Sequence, residues 1–445
     1  MKFNWKKWLL MYPVHAARGE WIPLYRREIQ ECESLAPNEL RRFQAAKLAR
    51  LLRHCYHNDP YYRPLLEGFV NRNDSDQPLS FLNKLPFLTK EIVNRETAKR
   101  RVRWQRLDRR STSGSTGFPL AFHKDRLATA YMEAVQNYAC QWHDISVGEP
   151  QGRFWGMPTG AKGKITVLKD LLKNRVRFSA FDLSDEAMHA FHQRLVRFSP
   201  TYFYGYPSLI LEFANFLERE RLSLDSVPLK AVIGTGEYVY PDEKSRLEEL
   251  LGVPFAGEYG CTETGVIGFD CQHGTMHLMA ANILVQVVDE EGMPVPAGHV
   301  GEIVVTELNA RYFPFIRYRL GDRGSISHGS CPCGRTLPAL KIAAGRKDDY
   351  IVTPQGQKVY DAILAYTLKK GVLQFKAVQD RLDRLRIYVV PDAGYNESLE
   401  RDYGSKLQES LGSDMRIEFI RTTEIEREAS GKLRYFRSNM GGETP

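Results

Sequence analysis

Between residues 165 and 288, short apolar or β-branched runs alternate with helical stretches, and no other feature limits the possible folds as strongly. The runs are Ile165–Val167, Tyr202–Tyr204, Ala231–Ile233, Pro254–Ala256 and Ile283–Val288. Between several of them lie amphipathic segments from Asp185 to Arg197 and from Ser208 to Arg219. Strands that alternate with helices predict an α/β architecture. Helical spacing also marks residues 25–70, with Leu40, Phe43, Leu48, Leu51 and Leu52 on one face, and Arg126 to Trp142. A chain of 445 residues is too long for one typical domain. The composition shifts at Gly345-Arg346-Lys347-Asp348-Asp349. Beyond it follow a hairpin (Tyr350–Val352, Gln357–Tyr360), a helix, strands at Phe375–Gln379 and Arg384–Val390, a helix from Glu397 and a strand at Arg416–Ile420. The expected division is therefore 1–347 and 348–445, the second part a small α+β domain on a charged hinge.

Bulk properties exclude several classes. No apolar run approaches the roughly 20 residues of a membrane span, although the start (Lys2, Lys6, Lys7, then Trp8 to Tyr12) leaves weak peripheral association open. The net charge of +8 is spread along the chain without a polynucleotide-binding motif, which argues for an anionic small molecule rather than nucleic acid. An odd count of seven cysteines without an export signal argues against a disulfide framework and for the cytoplasm.

The chemistry concentrates in short motifs. Ser111-Thr112-Ser113-Gly114-Ser115-Thr116-Gly117 packs five hydroxyls and two glycines into seven residues. Glycine lets successive N–H groups converge on one anion, and hydroxyls add donors, so the segment suits phosphate. In order behind it come Gly234-Thr235-Gly236-Glu237, Gly257-Glu258-Tyr259-Gly260-Cys261-Thr262-Glu263, Arg317-Tyr318-Arg319-Leu320-Gly321-Asp322, the Gly345–Asp349 hinge and Ser430-Gly431-Lys432-Leu433-Arg434. The ordered set, with Tyr202-Phe203-Tyr204-Gly205-Tyr206-Pro207-Ser208, resembles the adenylate-forming superfamily of acyl-CoA synthetases, within it the phenylacetate–CoA ligase and CapK-like branch. The resemblance runs from about Pro37 to Arg437.

That resemblance implies a large multi-sheet N-terminal AMP-binding domain, a small mobile C-terminal domain, and a reaction in which a carboxylate attacks the α-phosphorus of ATP. Ser111 to Gly117 would close over the β- and γ-phosphates. Tyr259 would lie against adenine in a pocket lined by Gly234, Gly236, Glu237, Glu258, Gly260 and Thr262. Glu263 would hold Mg²⁺, Asp322 would accept from the ribose hydroxyls with Arg346 nearby, Lys432 would be the adenylation lysine and Asp348 the hinge. Coenzyme A is the expected acceptor; a CapK-like amine acceptor in polysaccharide biosynthesis, and a non-catalytic nucleotide-binding scaffold, are the alternatives. Phe118 stands where many members keep a lysine, and Cys261 occupies the motif's variable position as a small buried residue. The acid and the oligomeric state stay open.

A second constellation carries metal chemistry. Cys271, His273, His277, Cys331 and Cys333 supply three thiols and two imidazoles, a donor set that suits tetrahedral Zn²⁺. A similar arrangement in the resembled branch favours Cys271, His277, Cys331 and Cys333 as ligands over His273. Reduced cysteines without metal are the competing reading.

Overall fold

A computed structural model of the chain describes residues 12–17, 22–71, 77–100, 107–111, 120–155, 160–179, 183–346, 350–356, 358–368, 370–426 and 434–438. Helices lead: α1 (Tyr12–Ala17), α2 (Ile22–Cys32), α3 (Pro37–Asn58), α4 (Tyr62–Asn71), α5 (Pro78–Leu82) and α6 (Lys90–Lys99). In α3, Pro37 opens the first turn, the Glu39 carboxylate accepts the Ala36 N–H at 3.0 Å, and Leu40, Leu48, Leu51 and Leu52 are buried at helical spacing.

Strands β1 (Asp108–Ser111) and β2 (Ala121–Lys124) form an antiparallel ribbon with Ser111 opposite Ala121. Helix α7 (Arg126–Cys140) starts at Asp125, which accepts the Ala128 N–H at 3.0 Å. Its other carboxylate oxygen accepts the N–H groups of Arg311 and Tyr312 at 2.7 and 2.8 Å, so one side chain caps the helix and fixes a distant loop.

Then follow β3 (Gln151–Trp155), α8 (Gly160–Leu172), β4 (Arg175–Ser179), α9 (Asp185–Phe198), β5 (Tyr202–Gly205), α10 (Pro207–Arg219), β6 (Ala231–Thr235), α11 (Pro241–Leu251) and β7 (Phe255–Cys261). The expected strand at Ile165–Val167 falls inside α8. Leu168, Leu171 and Leu172 continue at helical spacing beyond the three-residue run, and that longer period prevails. Strands β8 (Gly265–Asp270), β9 (Met276–Leu278), β10 (Ile283–Val288), β11 (Gly301–Glu307), β12 (Tyr318–Ser327) and β13 (Ala339–Arg346) complete a mixed sheet in the order β10-β11-β12-β13-β9-β8-β7-β6-β5-β3-β4.

Strands β4, β3, β5, β6 and β7 are parallel, and β7 to β9 are antiparallel. Period two divides the parallel half. Phe154, Phe203, Val232 and Phe255 pack into one core with Phe191 and Leu195 of α9, Phe213 of α10 and Leu247 of α11. Tyr204, Ile233 and Ala256 face the other way and pack with Tyr131, Val135 and Tyr138 of α7.

Two compact units share the chain, residues 1–320 with 324–341 and residues 321–323 with 342–445, so the boundary runs through β12 and β13. The smaller unit contains β14 (Tyr350–Val352), β15 (Lys358–Tyr360), α12 (Ala362–Thr367), β16 (Val372–Arg381), β17 (Arg384–Pro391), α13 (Glu397–Leu411), β18 (Arg416–Arg421) and β19 (Phe436–Ser438). Its four-stranded sheet, ordered β18-β17-β16-β19, buries Ala377, Ile387, Val389 and Phe436 against Leu364, Leu407 and Leu411. Among the described residues no helix is long and apolar enough to cross a membrane.

Candidate active site and metal centre

In an open parallel sheet ligands meet the carboxyl ends of the strands, and here those ends carry the motif residues. Glu263 lies in the turn that leaves β7; it is buried, and the Tyr318 hydroxyl donates to its Oε1 at 2.8 Å. Burial raises the Tyr318 pKa, with the Glu263 charge adding to it, so the phenol stays a donor. Tyr318 is itself fixed by its neighbour. The Arg317 guanidinium donates to the carbonyls of Asn83 and Leu85 at 2.9 and 2.6 Å, and the Arg317 N–H to Thr306 at 3.0 Å. The second Glu263 oxygen has no hydrogen bond among the described residues, which leaves a hard oxygen donor such as Mg²⁺ prefers.

Beside it, β7 presents Glu258. Its carboxylate accepts from Tyr204 at 2.7 Å and Thr235 at 3.1 Å on one oxygen and from Gln136 of α7 at 3.1 Å on the other. Burial pushes the Glu258 pKa up against these donors. Arg153 of β3 lies against the rings of Trp155 and Tyr204, with its guanidinium carbon 4.7 and 4.8 Å from the ring centres. Burial brings the Arg153 pKa down to about 10, so it remains a cation at neutral pH. Gln136 and Arg153 were not singled out in the sequence. Their only signal was their place on elements that pack beside the Tyr202–Ser208 stretch.

The other expected nucleotide residues divide into three groups. Some have a visible local role: the Glu237 carboxylate accepts the Ser208 N–H at 3.0 Å, at the first turn of α10, and Gly260 admits no side chain, because a Cβ would lie 2.4 Å from the Gly265 carbonyl oxygen. Gly234 likewise cannot carry one, since a Cβ there would meet Phe255 at 2.2 Å on the core side of the sheet. Gly236 follows β6, Tyr259 lies half-buried in β7, and Thr262 is exposed in the turn beside Glu263. Cys261 packs its sulfur 3.2 Å from the Thr264 hydroxyl, and burial raises its thiol pKa, away from nucleophile chemistry. Asp322 lies in β12 within the smaller unit, and Arg346 ends β13. Ser111 ends β1, whereas Thr112 to Gly117, Asp348 and Lys432 lie outside the described residues.

The cysteine and histidine motifs converge. One ligand atom from each of Cys271, His277, Cys331 and Cys333 lies within 4.8 Å of the others. Cys271 Sγ is 3.7 Å from Cys331 Sγ, and Cys333 Sγ is 3.3 Å from His277 Nε2. His277 Nδ1 lies 3.0 Å from the Leu337 carbonyl oxygen, an acceptor that places the proton on Nδ1 and turns the Nε2 lone pair toward the thiols. Burial opposes ionisation of the Cys331 thiol, yet hydrogen bonds from Thr275, Cys333 and His277 bring it to about 6. His273 is exposed and contributes only its backbone N–H, 3.4 Å from Cys271 Sγ. Arg335 braces the rim through Glu33 at 3.0 Å and the Trp142 ring at 4.2 Å.

Known proteins share this organisation. Residues 171–309 match the AMP-binding enzyme family and residues 351–439 the CapK C-terminal domain. Protein CapK of Staphylococcus aureus is 20% identical over 426 residues, which covers 93% of this chain and 91% of that protein. A phenylacetate-coenzyme A ligase of Thermus thermophilus is 25% identical across 91% of this chain and 97% of its own length. In fold, 2-hydroxyisobutyryl-CoA ligase in the postadenylation state superposes with a TM-score of 0.75 at 21% identity, covering 92% of each chain.

Proposed function

We propose, from the premise that this chain joins an AMP-binding enzyme domain to a CapK C-terminal domain and is an adenylate-forming ligase, that it activates a small carboxylic acid with ATP and passes the acyl group to coenzyme A. The observation that carries the reading is the buried Glu263 at the carboxyl end of the parallel strands, oriented by Tyr318 and with one oxygen free of hydrogen bonds among the described residues. A carboxylate aimed at solvent would serve solubility alone. One held rigid at a strand end can bind Mg²⁺, which neutralises phosphate charge.

In the first half-reaction the substrate carboxylate oxygen bonds to the α-phosphorus and pyrophosphate departs. In the second, a thiol displaces AMP from the acyl carbon. The Ser111–Gly117 segment holds phosphate through its N–H groups and hydroxyls. Lys432 neutralises the carboxylate and phosphates during adenylation, Asp322 and Arg346 serve the ribose, and Tyr259 with Gly234, Gly236, Glu237, Glu258, Gly260 and Thr262 frames the base. Asp348 is the hinge between an AMP-binding domain, 1–347, and a small domain, 348–445.

Cys271, His277, Cys331 and Cys333 hold a structural zinc ion, a role supported by their convergent donor atoms and by the His277 tautomer. Four protein ligands fill a tetrahedral site and leave no position for substrate. All seven cysteines are unpaired, which fits the reducing cytoplasm. The CapK C-terminal domain supports a second reading, in which the acceptor is an amine of polysaccharide biosynthesis. A pyrophosphate-release screen over aryl, fatty, sugar and amino acids, with and without coenzyme A, tests both. Release with any acid supports adenylation, and a coenzyme A-dependent rise in turnover supports the thioester. Absence of release across the panel would favour the scaffold.

A further inference from the structure

Among the described residues Arg153 forms no ion pair. Its Nε is fully enclosed and makes no hydrogen bond, and among the described residues its partners are two aromatic faces. Glu258 attracts it through space but gives it no hydrogen bond, because that carboxylate accepts from Tyr204, Thr235 and Gln136. The neighbouring strand makes matters worse. Arg153 lies directly opposite Arg177 in the β3–β4 register, and like charges across a strand pair destabilise a sheet. Arg177, at 2.9 Å, and Arg175 share the single Asp170 carboxylate, so two guanidinium groups of β4 have one counter-charge and none is spare for Arg153.

Position gives this excess charge a use. Arg153 stands two residues before the end of β3, roughly 7 Å below the carboxyl edge of the sheet at about 3.3 Å per residue. It lies on the face that α7 covers, with Tyr204 as its register partner. Thr235 ends β6 on that face, and Glu258 is its register partner on β7. Arg153 is in register with Tyr204 and Ile233, two residues deeper on the same face than Thr235 and Glu258. A planar fork of donors in a low-dielectric place is matched best by a second carboxylate, which accepts two parallel N–H bonds.

We infer that Arg153 is a specificity-determining residue and that the acid is dicarboxylic, with its distal carboxylate held by the guanidinium against the Trp155 and Tyr204 rings. This inference rests on the reading of the chain as an acid-activating ligase and names the substrate class of that same site. The test pairs acids of one skeleton with one or two carboxyl groups: hexanoate against adipate, and phenylacetate against 4-carboxyphenylacetate, each assayed by pyrophosphate release.

The diacid in at least one pair is expected to exceed its monoacid in kcat/KM by about a hundredfold, the discrimination available when a buried polar group is left unpaired by the poorer substrate. In Arg153→Leu that ratio should collapse to within about threefold, and in Arg153→Lys, which keeps the charge and loses the fork, it should fall between. Monoacids turned over as well as diacids, or a ratio unchanged in both variants, would overturn the inference and leave adenylation standing. Release from no acid in this panel or the broader one would instead remove the ligase reading, and the inference with it.

Discussion

Replacing Lys124 with Met should destabilise the large unit in a pH-dependent way, because Lys124 ends the ribbon strand β2 and pairs with Glu307 of β11 where neither side chain reaches solvent. Lys124 also lies 4.7 Å from the Phe315 ring centre, so the pair is walled by apolar surface. Removal of one partner from a buried pair costs about 3–5 kcal/mol, since the other charge stays behind unpaired. Glu307 Oε1 already lacks a partner among the described residues, which leaves the carboxylate little to fall back on.

Burial raises the Glu307 pKa, and Lys124 is the chief influence that lowers it. A carboxyl with a raised folded pKa stabilises the fold fully below its unfolded value and loses that contribution as pH climbs through the folded value. Without Lys124 that window extends upward. The Lys124→Met deficit should therefore be largest near pH 8 and shrink by up to about 1.4 kcal/mol per pH unit on acidification. Urea unfolding followed by tryptophan fluorescence reads this unit alone, because all six tryptophans precede residue 160. Lys124→Met/Glu307→Leu should recover most of the loss. A single variant within about 1 kcal/mol of the parent, or a deficit that grows on acidification, would refute the reasoning.

Purified protein should hold about one zinc ion per chain, and Cys331→Ser should lower both the metal content by elemental analysis and the melting temperature. Glu263→Gln should depress Mg²⁺-dependent adenylation while circular dichroism stays native; unchanged turnover at limiting Mg²⁺ would separate this side chain from the metal. Lys432→Ala should lose adenylation by about a hundredfold or more, yet convert synthetic acyl-adenylate and coenzyme A to thioester, whereas Asp348→Pro should slow the full cycle; equal losses in both half-reactions for Lys432→Ala would argue against domain alternation. Gly234→Ala should destabilise by about 1–3 kcal/mol through overpacking against Phe255, measured by the same urea titration.

Elements with a sustained period were legible in the sequence, and those defined by their neighbours were not. The parallel strands at Tyr202, Ala231 and Pro254 and the helices between them follow from apolar spacing. Ile165–Val167 misled because three β-branched or polar-flanked residues cannot distinguish a strand from one turn of a helix. The motif around Glu263 could be read from its residues, but its orienting partner could not: Tyr318 is 55 positions away and meets it only through the fold. Cys271, His277, Cys331 and Cys333 had a chemistry readable from side-chain type. Side-chain type alone left His273 and His277 open and the resemblance favoured His277; the physical reason came with the strand pairing, since His277 is buried in β9 while His273 lies in the exposed turn before it.

The parallel half of the sheet separates stability from chemistry by residue parity. Odd and even positions on β3, β5 and β7 face opposite ways, so Phe154, Phe203 and Phe255 build one core while Tyr204 and Glu258 meet Gln136 of α7 and Arg153 lies against the Tyr204 ring. Gly234 belongs to the first set, held small by Phe255 rather than by any ligand. A buried charge on the α7 side is desolvated there whatever the packing of the opposite face, and the groups around it must offset that cost. For Arg153 those groups are the Trp155 and Tyr204 rings and the charge of Glu258, so the side of the sheet that faces α7, rather than the better-packed side, is where the identity of the acid should be sought.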